Sequence, residues 1–352
     1  MQNNLTSYQI PKRSLFKRIT SRSEFSVFVA LVVLIVVMSI ASPVFMTTKN
    51  IFNVLNQISR YGIIAAGMAL IIIAGGIDLS VGYAVGFTAC YCAYFSSAEV
   101  GMPWPLVLIV TMGMGALIGI INGLLVTRVK IVPFIVTLAM GKILSGLTLL
   151  LTRGRPIFFS SGLSVLGWGY LGPVPIPVII MFVCIVAGSI FTAKTLTGRN
   201  IYAIGNNERA ASLSGINVKR LKVMTYIITS MLCALCGIIV AGNLESADAN
   251  LGTNYETDVI AAVVIGGVAM SGGEGTVWGS LIGAAIMGIL KNAFVLLGVS
   301  AYWQTIVIGI VIIGAVTIDS VRTARQSKVH KERADKHASD ALKQSQTEED
   351  TK

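Results

Sequence analysis

Ten apolar blocks stand between charged or turn-rich breaks along this chain. They cover residues 25–45, 60–77, 79–98, 104–127, 131–152, 173–193, 223–243, 258–272, 276–298 and 302–319. Most approach the ~20 residues that a helix needs to cross a bilayer. The pattern therefore predicts an all-α, polytopic membrane protein of about ten transmembrane helices. Two pairs of blocks are separated only by short glycine-rich breaks, Gly75 to Gly82 and Gly266 to Gly275. Each pair reads either as two spans or as one broken or re-entrant helix, which leaves eight as the alternative count.

Composition narrows the class. Of the 352 residues, 54% are hydrophobic and 12% charged, about half the charged share of an ordinary soluble domain. One soluble core could not bury so much apolar surface, so soluble enzymes and disordered chains are excluded. The first block lacks a small-residue cleavage site and reads as a retained span, not a signal peptide. All five cysteines lie inside apolar blocks. Cys233 and Cys236 form an isolated CxxC, and packing on one helical face explains it better than a metal or redox site.

The net charge of +11 lies in loops and tails, which points to membrane orientation and not to nucleic acid. Lys12, Arg13, Lys17, Arg18 and Arg22 precede the first span and place the N-terminus in the cytoplasm. Threading ten spans from there puts Arg128, Lys130, the basic loop 194–222 and the basic C-terminal tail inside. Glu99, Glu245, Asp248 and Glu256 fall outside with only four basic residues, Lys49, Arg60, Arg153 and Arg155. The expected organisation is a cytoplasmic tail over 1–24, a membrane domain over 25–319 and a cytoplasmic tail over 320–352. The last has mixed charge and too few apolar residues to fold alone. Its basic half either rests on anionic lipid headgroups or is simply solvated. Gly115, Gly119 and Gly123, and again Gly279 and Gly283, sit four apart and predict close helix packing.

Ionisable groups inside spans are costly, so each needs a partner, a wet cavity or an interface. Asp78 and Ser80 lie in the first glycine-rich break, where Asp78 either caps the following span or lines a solute path. Gly266, Gly267, Ser271 and Glu274 lie in the second, and both breaks are candidate walls of a cavity. Asn122, Asn243 and Asn292 offer either hydroxyl-recognising amides or interhelical hydrogen bonds. Lys142 and Lys291 read as snorkelling toward an interface. No phosphate-binding loop, zinc-protease motif or nucleophile elbow is present, and no proton relay is evident. Uphill transport by this chain would need energy from another polypeptide.

The longest internal polar segment reads Thr197-Gly-Arg-Asn-Ile-Tyr-Ala-Ile-Gly-Asn-Asn-Glu-Arg-Ala-Ala-Ser-Leu-Ser-Gly-Ile-Asn217. Asn207 is a plausible N-cap, Glu208 to Ser214 suits a short helix, and Gly215 can end it in a left-handed conformation. The helix is expected to present Ala210, Ala211 and Leu213 as contacts. The spacing of Glu208, Ala210-Ala211 and Gly215 resembles the coupling loop of ABC importer permeases. The wider chain resembles the branch of that superfamily that imports ribose, xylose, arabinose, galactose and related small sugars. The likeness rests on Gly75-Gly-Ile-Asp-Leu-Ser-Val-Gly82, Val132-Pro-Phe-Ile-Val-Thr-Leu138, Gly198-Arg-Asn-Ile-Tyr-Ala-Ile-Gly205, Ala210-Ala-Ser-Leu-Ser-Gly-Ile-Asn217, Ile260-Ala-Ala-Val-Val-Ile-Gly-Gly267 and Ser271-Gly-Gly273, over residues 50 to 320. Asn206, Val268-Ala269 and Lys291-Asn-Ala293 depart from it.

The resemblance implies the ABC importer permease fold in a bacterial cytoplasmic membrane and no resident cofactor or metal. It also implies a cytoplasmic ABC ATPase, an extracytoplasmic sugar-binding protein and a second permease copy or paralogue as partners. Asn207, Glu208, Ala210, Ala211 and Gly215 would then couple to the ATPase. Asp78, Ser80, Asn122, Gly266, Gly267 and Ser271 would line the substrate path. The rivals are a stand-alone secondary transporter or facilitator, for which intramembrane charge is sparse, and a membrane enzyme, for which no catalytic constellation exists.

Overall fold

The computed structural model describes residues 23–314, 316–317 and 320–321. The expectations for residues 1–22 and 322–352 lie outside the described residues. Each of the ten predicted spans carries its own helix among the described residues, and the one before the second glycine-rich break, at 11 residues, fits the broken-helix reading better than a full span. The ten helices are α1 (Ser23–Ala41), α2 (Thr48–Ile73), α3 (Val81–Ser96), α4 (Trp104–Leu124), α5 (Pro133–Thr152), α7 (Ile176–Lys194), α10 (Val218–Leu244), α11 (Tyr255–Ile265), α12 (Val277–Leu296) and α13 (Ala301–Gly314). Three shorter helices join them: α6 (Ser164–Trp168), α8 (Leu196–Asn206) and α9 (Glu208–Leu213). Six helices among the described residues are individually long and apolar enough to cross a membrane.

Two boundaries differ from the sequence reading. α2 begins twelve residues before the predicted 60, because Thr47 caps it and the amide-rich stretch from Asn50 to Arg60 stays helical. Arg60 is therefore part of a span and not of an outer loop. α11 is only 11 residues long, about 17 Å, against a predicted 258–272. It ends at Gly266 and Gly267, and Gly267 takes φ +88°.

Contacts between helices fix their directions. Gly115, Gly119 and Gly123 of α4 seat on α10, where a Cβ on Gly119 would lie 2.5 Å from the Ile227 Cα and one on Gly123 would lie 2.8 Å from the Val223 Cα. The descending register makes the two helices antiparallel and bears out the predicted tight packing. α2 is likewise antiparallel to α10, through Gly67 against Thr229 and Arg60 against Asn243. Gly288 of α12 meets Ile58, and Gly283 of α12 meets Ala262, so α11 and α12 form a hairpin beside α2.

The up-and-down threading gathers segments 74–80, 125–132, 195–217 and 266–276 at one end. Segments 42–47, 97–103, 153–175 and 245–248 lie at the other. The first end carries Arg128, Lys130, Lys194, Arg199, Arg209, Lys219, Arg220 and Lys222 with Asp78, Glu208 and Glu274; the second carries Lys49, Arg153 and Arg155 with Glu99, Glu245 and Asp248. Eight basic residues against three is the pattern expected of a cytoplasmic end, so the first end is termed inner and the second outer. At the outer end, Ile157–Phe158 pairs with Ser246–Ala247, Tyr170–Leu171 pairs with Val174–Pro175, and α6 packs on the end of α10.

Candidate functional site

At the inner end two short helices replace the single one expected. The Thr195 side chain accepts from the Gly198 amide at 2.9 Å and starts α8, which buries Ile201 and Ile204. α9 follows at once. The Asn207 side chain accepts from the Ala210 amide at 2.9 Å, and Gly215 takes φ +84°, the cap and stop expected from the sequence. Ala211 faces inward against Ile204 and Val218, so it seats the helix instead of presenting a contact. Ala210 is exposed and Leu213 is 82% exposed, which leaves these two on the free face. Glu208 pairs with Lys222 at 2.7 Å, tying the start of α9 to the first turns of α10. A cavity of about 930 Å³ lies beside α9, lined by Glu208, Arg209, Ser212, Lys130 and Val132.

Both glycine-rich breaks meet α8. The Gly273 amide donates to the Ile73 carbonyl at 2.9 Å, and Gly205 lies against both. A Cβ on Gly205 would clash with the Ile73 carbonyl oxygen and lie 3.0 Å from the Gly273 Cα. The Tyr202 hydroxyl donates to the Gly275 carbonyl at 2.9 Å, and the Asn206 amide reaches the Gly273 carbonyl at 3.4 Å. The sequence treated the breaks as two separate walls; the structure makes them one joint beneath α8, because only bare backbone allows three segments to approach so closely. Gly272 and Gly273 have φ of +85° and +76° there.

The six residues assigned to a path occupy different settings. The Asp78 carboxylate accepts from the Ser80 amide at 2.8 Å and from its hydroxyl at 2.5 Å, and Asn122 donates to that hydroxyl at 3.0 Å. All three are buried, and the network ties the first break to α4. Tyr226 adds a second tie by donating to the Ile77 carbonyl at 3.1 Å. Asp78 thus staples a turn ahead of α3 rather than capping it from the Ser80 position, where no side-chain cap bond forms. Gly266 lies against Gly279, and Ser271 is exposed at the inner end.

Toward the outer half, polar groups form a column that the sequence reading largely missed. Segment 248–254 descends along α3, with Asp248 near Cys90, the Leu251 carbonyl against Gly86 and Gly252 against Gly82. Gly82 lies between Ile77, level with Tyr226, and Val85, level with Gly237, hence near the middle of α10. α11 therefore starts deep in the bundle, and Thr253, Asn254 and Thr257 are exposed there. Irregular backbone at such depth needs protein or water beside it. Asp258, in the first turn of α11, is ion-paired with Lys291 of α12, whose ammonium lies 5.1 Å from the centre of the Tyr61 ring. Lys291 is thus a paired interior charge, contrary to the snorkelling expectation. Its partner opened the predicted 258–272 block and was the available signal.

Above this pair, α2, α10 and α12 border an open cavity of about 450 Å³. Asn50, Asn53, Asn56, Gln57, Arg60, Asn243 and Asn292 line it, together with Lys49. Arg60 donates to Asn243 at 2.8 Å, while Asn50 and Asn292 exchange amide hydrogen bonds at 3.0 and 2.8 Å. The interhelical reading of Asn243 and Asn292 is therefore realised, and both also face the cavity.

Comparison with known proteins agrees with this architecture. The chain is 40% identical over 325 residues to the ribose import permease protein of Haemophilus influenzae, covering 91% of this chain and 98% of that protein. It is 43% identical over 300 residues to the ribose import permease protein of Bacillus subtilis, covering 84% and 92%. Identity to the galactose/methyl galactoside import permease protein of Escherichia coli is 36% over 326 residues, covering 88% and 97%. No solved structure matches the chain. Through a match over residues 50–316, the chain belongs to the family described as the permease component of the branched-chain amino acid transport system.

Proposed function

We propose that this chain is the membrane-spanning subunit of an ATP-binding cassette importer that carries a small pentose or hexose into the cytoplasm. The observation that carries the reading is near full-length similarity to sugar import permeases, combined with an exposed α8–α9 platform locked to both glycine-rich breaks. A cytoplasmic ATPase subunit docks on the free face of α9 and supplies the energy. Movement of α9 passes through Ala211 and the Glu208–Lys222 pair to α8 and α10. From α8 it passes through the Gly205 joint to the inner ends of α2 and the α11–α12 hairpin. Those helices enclose the polar column, so displacing their inner ends changes its width. An extracytoplasmic binding protein delivers the sugar to the outer end, and a second copy or paralogue completes the path. Both termini lie in the cytoplasm, and the chain itself hydrolyses nothing.

Reconstitution into liposomes tests this. With a cognate ATPase and binding protein, the expected result is ATP-dependent sugar uptake that Glu208→Gln abolishes while membrane insertion persists. Uptake by the chain alone, without ATPase, would overturn the reading in favour of a secondary transporter or facilitator.

A further inference from the structure

We infer that the outer cavity between α2, α10 and α12 is a binding station for a neutral polyhydroxylated solute, which the sugar occupies after leaving the binding protein. The inference rests on the importer reading above and adds a site to it. α2 carries its polar residues at 49, 50, 53, 56, 57 and 60, which is helical spacing on one face over three turns. A bilayer helix gains nothing from such a stripe unless water or solute lies against it. The volume of this open cavity, about 450 Å³, lies within the ~300–1,000 Å³ typical of small-molecule sites.

The lining chemistry selects the class of solute. A side-chain amide both donates and accepts, as does a hydroxyl, so the amides suit a polyol, Val44, Val295 and Leu296 offer an apolar wall to its carbon skeleton, and Lys49 and Arg60 disfavour a cation. No carboxylate lines the cavity. Some amides are already committed: Asn50 to Asn292, and Asn243 to Arg60 and to the Gly167 carbonyl at 3.1 Å. These bonds fix the walls. Others are unspent. The Asn53 side chain is exposed and that of Gln57 half-buried, and neither makes a hydrogen bond among the described residues, so both are free to meet solute hydroxyls.

Arg60 and Asn243 form the floor of the cavity, Tyr61 follows Arg60 and packs tilted against Tyr255 with ring centres 5.4 Å apart, and Tyr255 opens α11. A solute that moves inward must part this aromatic pair before it reaches the exposed Asn254 and Thr253.

The test uses the full importer in liposomes. Asn53→Ala and Gln57→Ala remove unspent amides without breaking an observed hydrogen bond, and Glu99→Gln serves as the remote control. Each amide variant should raise the sugar concentration for half-maximal uptake about fivefold, and the pair should raise it about twenty-fivefold. In a second measurement, Asn53→Cys should react with a polar thiol reagent, and sugar-loaded binding protein with a trapped ATP state should slow that reaction at least threefold. Unchanged uptake in both variants together with unprotected Asn53→Cys, while the wild-type protein imports sugar, would overturn the site and leave the importer reading standing. Protection by sugar phosphates or sugar acids but not by neutral sugars would overturn the class of ligand. If the wild-type importer moves no sugar at all, the importer reading fails and takes this inference with it.

Discussion

Gly205→Ala places one methyl group where α8 meets both glycine-rich breaks, and its effect can be worked from the geometry. The new Cβ would clash with the Ile73 carbonyl oxygen, a backbone atom that cannot rotate away. Non-bonded atoms rest about 3.5 Å apart, so relieving the clash takes a shift of about 1.7 Å. The methyl would lie against both ends of the Gly273–Ile73 hydrogen bond, now 2.9 Å, so either those two segments part past the ~3.2 Å limit of good geometry or α8 lifts off both. Losing that hydrogen bond costs about 1 kcal/mol net, and overpacking adds about 1–3 kcal/mol. Replacing a helical glycine by alanine returns about 0.5–1 kcal/mol. The balance is a destabilisation of about 1–3.5 kcal/mol concentrated at the joint. Gly113→Ala is the control: it has the same helical gain with no atom within 4 Å of the new Cβ. Thermal unfolding in detergent should therefore move down for Gly205→Ala and stay level or rise for Gly113→Ala. In liposomes, ATP-driven uptake should fall at least tenfold for the first and not for the second. Full stability and full uptake in Gly205→Ala would refute both the packing argument and the role of the joint in transmission.

Two further outcomes are expected. Lys291→Met strands Asp258, which is almost fully buried, and should cost about 3–5 kcal/mol, whereas Asp258→Asn leaves a quarter-exposed lysine that can turn toward water and should cost clearly less. The double variant should recover most of the loss, and a double-mutant cycle by denaturant titration that returns strict additivity would sink the pairing argument. Leu213→Ser removes an 82% exposed apolar side chain from α9, so the melting temperature should not move, while ATPase copurification should drop about tenfold, equivalent to ~1.4 kcal/mol. Equal yields of the ATPase subunit would place the docking face elsewhere.

Helix number and the coupling loop were legible because both are written in local chemistry. Ten apolar blocks gave ten helices, and Asn207 and Gly215 gave the ends of α9. The side of α9 that faces outward was not legible, since Ala210 and Ala211 differ only in where α8 happens to lie. The convergence of Gly75, Gly205 and Gly273 joins positions up to two hundred residues apart, and no local pattern reports it. The amide stripe on α2 was hidden by a hydropathy reading that began the span at residue 60, after Asn50, Asn53, Asn56 and Gln57 had already passed. Asp258 was overlooked because a carboxylate at the edge of an apolar block looks like the border of a loop.

The shortness of α11 bears on biogenesis. Eleven residues give the insertion machinery too little grease to release sideways as an independent unit, and its leading turn carries Glu256 and Asp258. It must enter the lipid phase together with α12, as a preformed hairpin zipped by Gly266 on Gly279 and by Ala262 on Gly283. A ribosome paused before α12 emerges would hold a nascent chain whose eleventh helix is still waiting outside the hydrocarbon.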